Sequence, residues 1–216
     1  MEEKRDWLQM PDEIMGGMIL QRLDVDDILM SVEKVCRNWR RICKDPAMWK
    51  IIDSDHKFDG WCGGEYEDLI KHAVDRSCGE LIDISLGIYG SDHLLDHITR
   101  CSSKLNRLCL IGCYAVTSSG LKDIKVIGRN CPQLKSFKME TMVMDVDIHA
   151  HAIANSMPGL RHLKLAGAIG GDDGVQAILN GCPHLESLDL CRCFYLDDLE
   201  KDFEKLCRER IKDFNL

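Results

Sequence analysis

The sequence lacks several features that would assign the chain to a membrane, to export or to nucleic acid. It has no run of about 18 apolar residues, so we expect no transmembrane helix. Residues 1–6 are charged and contain no apolar core, so we expect no secretory signal there. The formal net charge of -8 disfavours general nucleic-acid binding, because the main affinity term in such binding is the neutralisation of phosphates.

Signatures of common enzymes are also missing. The chain contains no G-x-S-x-G, no P-loop, no dinucleotide-binding fingerprint and no H-E-x-x-H. We therefore expect a non-catalytic protein without a cofactor. Its 216 residues allow one or two domains, and 45% hydrophobic with 30% charged residues is typical of a soluble globular protein.

The dominant pattern is a repeated spacing, L-x-x-L-x-L. Its six copies begin at Leu81, Leu105, Leu134, Leu160, Leu185 and Ile211, so the period is 24 to 29 residues. Such a segment is a short strand whose alternate side chains face a core. One repeat cannot bury its row of leucines by itself, so neighbouring repeats stack and bury it. Helical spacing between the strands predicts outer helices over Glu67–Arg76, Asp92–Cys101, Ser119–Arg129, Asp147–Ser156 and Gly174–Asn180.

Cysteine occupies recurring positions in these repeats. Cys131 and Cys182 each begin a C-P-x-L turn before a strand, where proline ends the helix, and Cys78 occupies the same position. Cys113 and Cys193 follow the strands. The run 113–121 resembles the cysteine-containing class of leucine-rich repeats, with its C-x-x-[VI]-T-x-x-G-L pattern. We expect most of the 12 cysteines to be small buried thiols in a reducing compartment rather than disulfides.

The first fifty residues do not share the repeat. Apolar residues at steps of three and four predict three short helices, the first over residues 14–23, the second around Ile28 and the third over 32–43. Such a unit is marginal by itself and gains stability from a partner or from the repeats behind it. Periodicity does not tell which of its apolar side chains face the core and which face a partner.

Three linked motifs in this segment resemble an F-box. They are Met10–Ile14, Val35–Arg40 and Asp45–Trp49. The corresponding F-box patterns are, in the same order, L-P-x-E-[LI], [VI]-C-[KR]-x-W and D-P-x-[LM]-W. Met10 replaces the usual leucine, and Glu33 stands where many members have a small or apolar residue. The order of F-box and repeats is similar to plant F-box/leucine-rich-repeat proteins.

The resemblance implies an α+β chain with a small all-α three-helix F-box followed by an α/β leucine-rich-repeat arc of about six strands. The expected boundaries are a polar tail at 1–6, the F-box at 7–53, a linker at 54–65 and the repeats at 66–216. It also implies a location in the nucleus and/or the cytoplasm.

F-box proteins are substrate receptors of cullin–RING ubiquitin ligases, in which the F-box docks on a Skp-family adaptor and the second domain holds a protein substrate. The resemblance therefore implies a Skp-family adaptor as the direct partner, and cullin and a RING protein through it. By position, the adaptor surface would be formed or supported by Met10, Pro11, Ile14, Leu23, Val35, Cys36 and Trp39.

The substrate would bind the concave sheet face, which the x residues of each strand line. The middle repeats place basic residues there, and we expect them to form a positive patch for an acidic or phosphorylated segment. The candidate residues are Arg107, Lys135, Lys138, Arg161, His162 and Lys164. A solvated polar face without such a role is the alternative, because surface lysines are common.

Two other interpretations remain open at this stage. His93, His97 and Cys101 lie four residues apart on one helix, a spacing that can bind zinc, although no fourth ligand is evident and we predict no metal. The chain could also be a leucine-rich-repeat scaffold or interaction protein without a ligase role. Binding of a Skp-family adaptor distinguishes the ligase receptor from such a scaffold.

Overall fold

The computed structural model describes residues 10–54, 63–113, 121–140, 146–166, 172–191 and 201–216. Four parts of the sequence interpretation lie outside them. They are the tail at 1–6, most of the linker, the run 114–120 and Cys193. Among the described residues, no helix combines the length and the apolar character needed to cross a bilayer.

The F-box region, residues 10–54, begins with three short helical runs, as the apolar spacing predicts. The first comprises α1 (Asp12–Ile14), a π-helical turn (Met15–Ile19) and a 3-10 turn (Leu20–Arg22). The second comprises α2 (Val25–Asp27), a π-helical turn (Ile28–Val32) and α3 (Glu33–Val35). The third is α4 (Arg37–Ile42), followed by a 3-10 turn (Pro46–Trp49).

The core of this region joins the core of the repeats. Met15, Leu20 and Ile28 are almost fully buried, and Trp49 is 1% exposed. The indole Nε1 of Trp49 donates a hydrogen bond of 2.8 Å to the Cys43 carbonyl, so its polar atom is satisfied in the interior. One continuous apolar cluster runs from Met15 to Phe214, and the F-box is packed on the repeats rather than separated from them.

A parallel sheet in strand order β1 to β7 follows. Its strands are β1 (Ile51–Ser54), β2 (Asp83–Leu86), β3 (Arg107–Ile111), β4 (Ser136–Glu140), β5 (His162–Ala166), β6 (Ser187–Asp189) and β7 (Asp213–Asn215). The six predicted strands are confirmed, and β1 is a further strand inside the segment interpreted as the end of the F-box. It lacks the repeated spacing, but Ile52 pairs with Ile84 and is as deeply buried.

Each of the strands β1 to β6 is followed by a helix, because parallel neighbours need a crossover connection. The helices are α5 (Gly63–Arg76), α6 (Asp92–Cys101), α7 (Leu121–Asn130), α8 (Val146–Ser156), α9 (Asp172–Gly181) and α10 (Lys201–Arg210). The five predicted outer helices are confirmed. Helix α10 was not predicted, since most of its residues are charged and its apolar face is thin.

The apolar residues of the strands form a ladder across the sheet. The register aligns Ile84, Leu108, Phe137, Leu163, Leu188 and Phe214 in one row. The first five are at most 1% exposed. Each repeat therefore covers the apolar row of the next, as the spacing predicts.

Cysteines connect neighbouring repeats through their turns. Cys131 and Cys182 are buried, and their thiols donate to the carbonyls of Ser102 and Met157 at 3.6 and 3.5 Å. Burial raises the pKa of each of these thiols to about 11, so both stay protonated. Cys78 is different: its side chain is exposed, which corrects the expectation of burial for this position.

Candidate partner-binding surfaces

Large apolar side chains are exposed on the F-box region. Between residues 14 and 35 they are Ile14, Met18, Leu23, Met30 and Val35, with exposed fractions of 41, 58, 39, 43 and 57%. Neighbours such as Met15 and Leu20 are buried in the same helical runs. Apolar area left in water next to a filled core is typical of a surface that another protein covers.

The structure divides the residues predicted to face an adaptor. Four are exposed, namely Pro11, Ile14, Leu23 and Val35, and three are half-buried, namely Met10, Cys36 and Trp39. Met10 and Trp39 pack against the core. Cys36 caps helix α4, because its Sγ accepts a hydrogen bond of 3.4 Å from the backbone N–H of Trp39. The half-buried residues thus support the surface, and binding of an adaptor by this set stays a prediction.

A polar contact holds the first helical run beside α4. The Asn38 side-chain amide donates to Asp12 Oδ1 at 3.1 Å, and Arg41 forms an ion pair with the same carboxylate. Arg41 also donates to Asn38 Oδ1 at 2.9 Å. Hydrogen bonds from Arg41 and Asn38 lower the pKa of Asp12. The network fixes the start of α1, and with it the exposed Pro11 and Ile14, relative to Trp39.

Glu33 has a structural role at the junction with the repeats. Its carboxylate accepts hydrogen bonds from the Arg76 guanidinium at the end of α5, and the two side chains are only 14 and 18% exposed. Arg76 also donates to the Cys43 carbonyl at 3.4 Å and lies 5.7 Å from the centre of the Trp49 ring. Glu33 therefore fastens the F-box region to the first repeat helix. Many F-box proteins have a small or apolar residue at this position.

The predicted substrate residues lie together on strands β3 to β5. Lys138 is the partner of Lys164 in the register, and Arg107, Ser136 and His162 share the row beside it. Just before these strands, the Arg161 N–H donates to the Lys135 carbonyl at 2.8 Å, which places those two residues side by side. The five basic residues on or just before β4 and β5 thus form one band, since adjacent strands are about 4.8 Å apart.

Most of the six candidate basic residues, Arg107 included, form ion pairs with acids. Arg107 donates from Nε to both oxygens of Asp83 at 2.8 Å, and Asp83 raises the pKa of Arg107. The other pairs are Lys138–Glu140 at 3.0 Å, Arg161–Glu186 at 2.5 Å and Lys164–Asp189 at 2.7 Å. Lys135 and His162 are exposed, and no ion pair joins them to another described residue. The face is a row of ion pairs rather than a uniform positive patch, and substrate binding by these residues stays a prediction.

The three residues of the histidine–cysteine spacing have different partners. His93 Nδ1 lies 2.9 Å from Glu67 Oε1 and 2.7 Å from Lys71 Nζ. His97 Nε2 lies 2.9 Å from Asp75 Oδ1 and 4.0 Å from Cys101 Sγ. The set inferred from the sequence as a possible zinc site is therefore not brought together, because His93 points to a different carboxylate.

Sequence reasoning missed Met18 and Met30 as partner-facing candidates. Met18 is three residues after the buried Met15, and in an α-helix these side chains would share a face. The turn Met15–Ile19 is π-helical, and its wider turn rotates Met18 away from the core. Met30 likewise lies in the second π-helical turn. The two glycines before Met18 were the only available signal of an irregular helix.

Known proteins resemble this chain along nearly its whole length. The F-box-like family matches residues 7–54. The chain is 40% identical to F-box/LRR-repeat protein 23 of Arabidopsis thaliana over 97% of this chain and 53% of that protein, so it spans about half of that relative's length. It is 38% identical to F-box protein SKIP19 of the same plant, over 97% of this chain and 76% of that protein.

A third relative is also named an F-box/LRR-repeat protein. F-box/LRR-repeat protein 21 of Arabidopsis thaliana is 35% identical, over 99% of this chain and 82% of that protein. These likenesses agree with the helical F-box region and the repeat sheet described above. The chain belongs to the plant-type F-box/LRR-repeat family.

Proposed function

We propose that the chain is a substrate-recognition subunit of an SCF-type cullin–RING ubiquitin ligase. Its F-box region docks on a Skp-family adaptor, which connects it to cullin and the RING protein, and its repeats bind a protein substrate. The chain acts as a non-catalytic receptor in the nucleus and/or the cytoplasm. Family membership and the exposed apolar side chains of the F-box region support this proposal.

The observation that carries the proposal is the contrast between Val35 and its surroundings. Val35 is 57% exposed at the end of α3, directly before the capping residue Cys36, while Val32 in the same helical run is 6% exposed. An apolar residue in the run V-C-R-x-W, which matches the F-box pattern, gains nothing from exposure unless a partner removes it from water. Ile14 and Leu23 are exposed in the same region.

The substrate surface is the concave face of strands β3 to β5. The basic residues there are flanked by carboxylates on β2 and on or just before β6, so the face presents both charges in a fixed pattern. Such a pattern selects a segment of complementary charge order, because a wrong partner would meet like charges. Lys135 and His162 are exposed. Lys135 lies at the start of the band beside Arg161, and His162 lies between Arg161 and Lys164 along β5.

The first experiment is co-purification of the chain with a Skp-family adaptor, followed by affinity measurement. We expect Val35→Asp to weaken binding by about 30-fold or more, because it places a charge in the apolar contact. The matched control is Ile88→Asp, since Ile88 is 51% exposed but lies in the repeats. That variant should bind the adaptor like the wild type.

Circular dichroism and the melting temperature establish that both variants are folded. The double variant Pro11→Ala/Trp39→Ala is less suitable by itself, because Trp39 packs against the core. If the wild-type chain does not bind any Skp-family adaptor, the ligase assignment is withdrawn and the chain is a repeat scaffold. Equal loss in the two aspartate variants would show that the contact is not made by the F-box region.

The substrate surface is tested separately, on proteins captured with the wild-type chain. Charge reversal of Lys138 and Arg161 should reduce their capture while adaptor binding is retained. Charge reversal of Lys104, which pairs with Glu80 away from the β4–β5 band, is the control. Unchanged capture by the Lys138 and Arg161 variants would exclude the concave band as the substrate surface.

A further inference from the structure

Three side chains of metal-ligating type meet between the first two repeat helices. Asp75 lies in the last turn of α5, and His97 and Cys101 lie on α6. A carboxylate oxygen of Asp75, His97 Nε2 and Cys101 Sγ are all within 4.8 Å of one another. The oxygen–nitrogen and nitrogen–sulfur distances are 2.9 and 4.0 Å.

The donor separations are comparable to those around a tetrahedrally coordinated ion. Bond lengths of about 2.0–2.1 Å for nitrogen, 2.0–2.2 Å for oxygen and 2.3 Å for sulfur correspond to ligand separations of about 3.3 to 3.6 Å. Two of the three donor separations, 2.9 and 4.0 Å, lie within about half an ångström of that range, and the oxygen–sulfur separation is within 4.8 Å. Side-chain rotations therefore bring the three donors onto one ion. His97 and Cys101 are one helical turn apart, which places both donors on the same face of α6.

The backbone around these donors is held by packing. Helices α5 and α6 are adjacent, and the buried side chains Ala73 and Ile98 belong to the common core. Ser91 caps α6 by accepting a hydrogen bond of 3.1 Å from the Leu94 N–H. The side chain of His97 is 29% exposed and that of Asp75 is 58% exposed, so an ion has access from solvent.

The chemistry of the donors selects the ion. A mixed set of thiolate, imidazole and carboxylate suits zinc and related transition metals, whereas calcium and magnesium prefer oxygen ligands alone. Three protein ligands leave the fourth position of a tetrahedral ion for water.

We infer that Asp75, His97 and Cys101 bind a zinc-type transition-metal ion that joins α5 to α6. The site replaces the histidine–cysteine set suggested by sequence spacing, because it uses Asp75 and leaves out His93. A bound ion cross-links the first two repeat helices next to Arg76, the residue that fastens the F-box region. It therefore stabilises the junction, independently of the proposed ligase function.

Cobalt(II) is the probe, because cobalt–thiolate coordination gives a charge-transfer absorption that an ion pair cannot. The full chain is reduced, stripped with a chelator and titrated with Co²⁺, and Zn²⁺ is then added in competition. We expect one cobalt per chain, displacement by zinc and a higher melting temperature with zinc. Cys101→Ser should lose the absorption, and His97→Gln and Asp75→Asn should each weaken binding by about 10-fold or more.

Two matched controls distinguish this site from others on the chain. His93→Gln removes the histidine that the spacing suggests but the structure excludes, and Cys78→Ser removes an exposed thiol near the end of α5. Both should retain the cobalt absorption and affinity. Circular dichroism checks the fold of each variant. Asp75→Asn changes an exposed side chain, so it tests the site even if a cysteine variant unfolds.

Three results would overturn the inference. They are no cobalt–thiolate absorption in the wild type, an absorption that persists in Cys101→Ser, or a loss of affinity in His93→Gln as large as that in His97→Gln. The first would leave Asp75 and His97 as an ion pair between helices.

Discussion

The F-box region and the repeats differ in how far their large apolar side chains are exposed to water. In the repeats, the row from Ile84 to Leu188 is at most 1% exposed, because each strand is covered by the next unit of the same chain. In the F-box region, Ile14, Met18 and Val35 are between 41 and 58% exposed. A repeat obtains its covering surface from its neighbours, whereas the small helical unit leaves some of its apolar side chains in water.

The two regions also differ in regularity. The repeat helices α5 to α10 are 10 to 14 residues long. The F-box helices are three to six residues long and are interrupted by π-helical and 3-10 turns. Irregular turns change which side chains face the core, so that Met15 is buried and Met18 is exposed. Regularity in the repeats preserves a core, and irregularity in the F-box region presents a surface.

The largest expected effect contrasts one residue from each region. Leu163→Ala should reduce the free energy of unfolding by about 2–5 kcal/mol, because Leu163 is 1% exposed and its removal leaves a cavity. Val35→Ala should change it by less than about 0.5 kcal/mol, because Val35 is mainly in water. Urea denaturation of both variants measures the difference. Similar losses in the two variants would contradict the contrast between the regions.

The next prediction concerns the ion pair between the regions. Arg76→Ala should cost about 2 kcal/mol of stability, because it leaves the Glu33 carboxylate largely buried without its cationic partner. The double variant Glu33→Ala/Arg76→Ala should lose less than the sum of the single variants. Arg100→Ala is the control, since its pair with Asp96 is an exposed pair within one helix, worth about 0.5 kcal/mol or less. Additive losses at positions 33 and 76 would show that the contact does not join the regions.

Two adjacent glycines in the first helical run give a smaller, matched effect. A Cβ at Gly16 would lie 2.9 Å from Ile42 Cγ2, whereas a Cβ at Gly17 would meet no atom within 4 Å. Gly16→Ala should therefore destabilise the chain by about 1–2 kcal/mol. Gly17→Ala should be neutral or stabilise it by up to about 1 kcal/mol, since alanine favours the helix. Melting temperatures compare the two variants, and equal shifts would mean that Gly16 is not needed for close packing.

The smallest effect per residue is a pH dependence that comes from buried thiols, two of which are Cys131 and Cys182 in the repeats. The pKa values of Cys131 and Cys182 are raised by burial to about 11, from an ordinary value of 9.0. Above pH 9 the unfolded chain releases these protons while the folded chain keeps them, so stability falls as pH rises. The loss should be about 1 kcal/mol per thiol at pH 10.

Urea denaturation at pH 8 and pH 10 measures this loss. A Cys131→Ala/Cys182→Ala variant should show a smaller decrease between the two pH values than the wild type, whatever its stability at pH 8. Cys78→Ala, at an exposed position, should keep the wild-type decrease. An identical decrease in all three proteins would mean that Cys131 and Cys182 are not its source.

Much of the fold follows from local patterns. The spacing L-x-x-L-x-L located strands β2 to β7, and helical spacing located α6 at the same residues as in the structure. Strand β1 was missed because Ile51–Ser54 has no repeat partner in sequence and is recruited by pairing with β2. The candidate basic residues were placed on one face, but the sequence did not show which of them pair with which carboxylates.

The sequence by itself determined the family, the order of the F-box and the repeats, and the residues that can form the apolar rows. These properties depend on periodicity and short motifs, which neighbouring residues of one segment specify. Only the tertiary structure decided which F-box side chains are exposed, that Glu33 pairs with Arg76, and that Asp75 rather than His93 joins His97 and Cys101. Those contacts depend on helix rotation and on the juxtaposition of separate segments, and packing of the whole chain determines both.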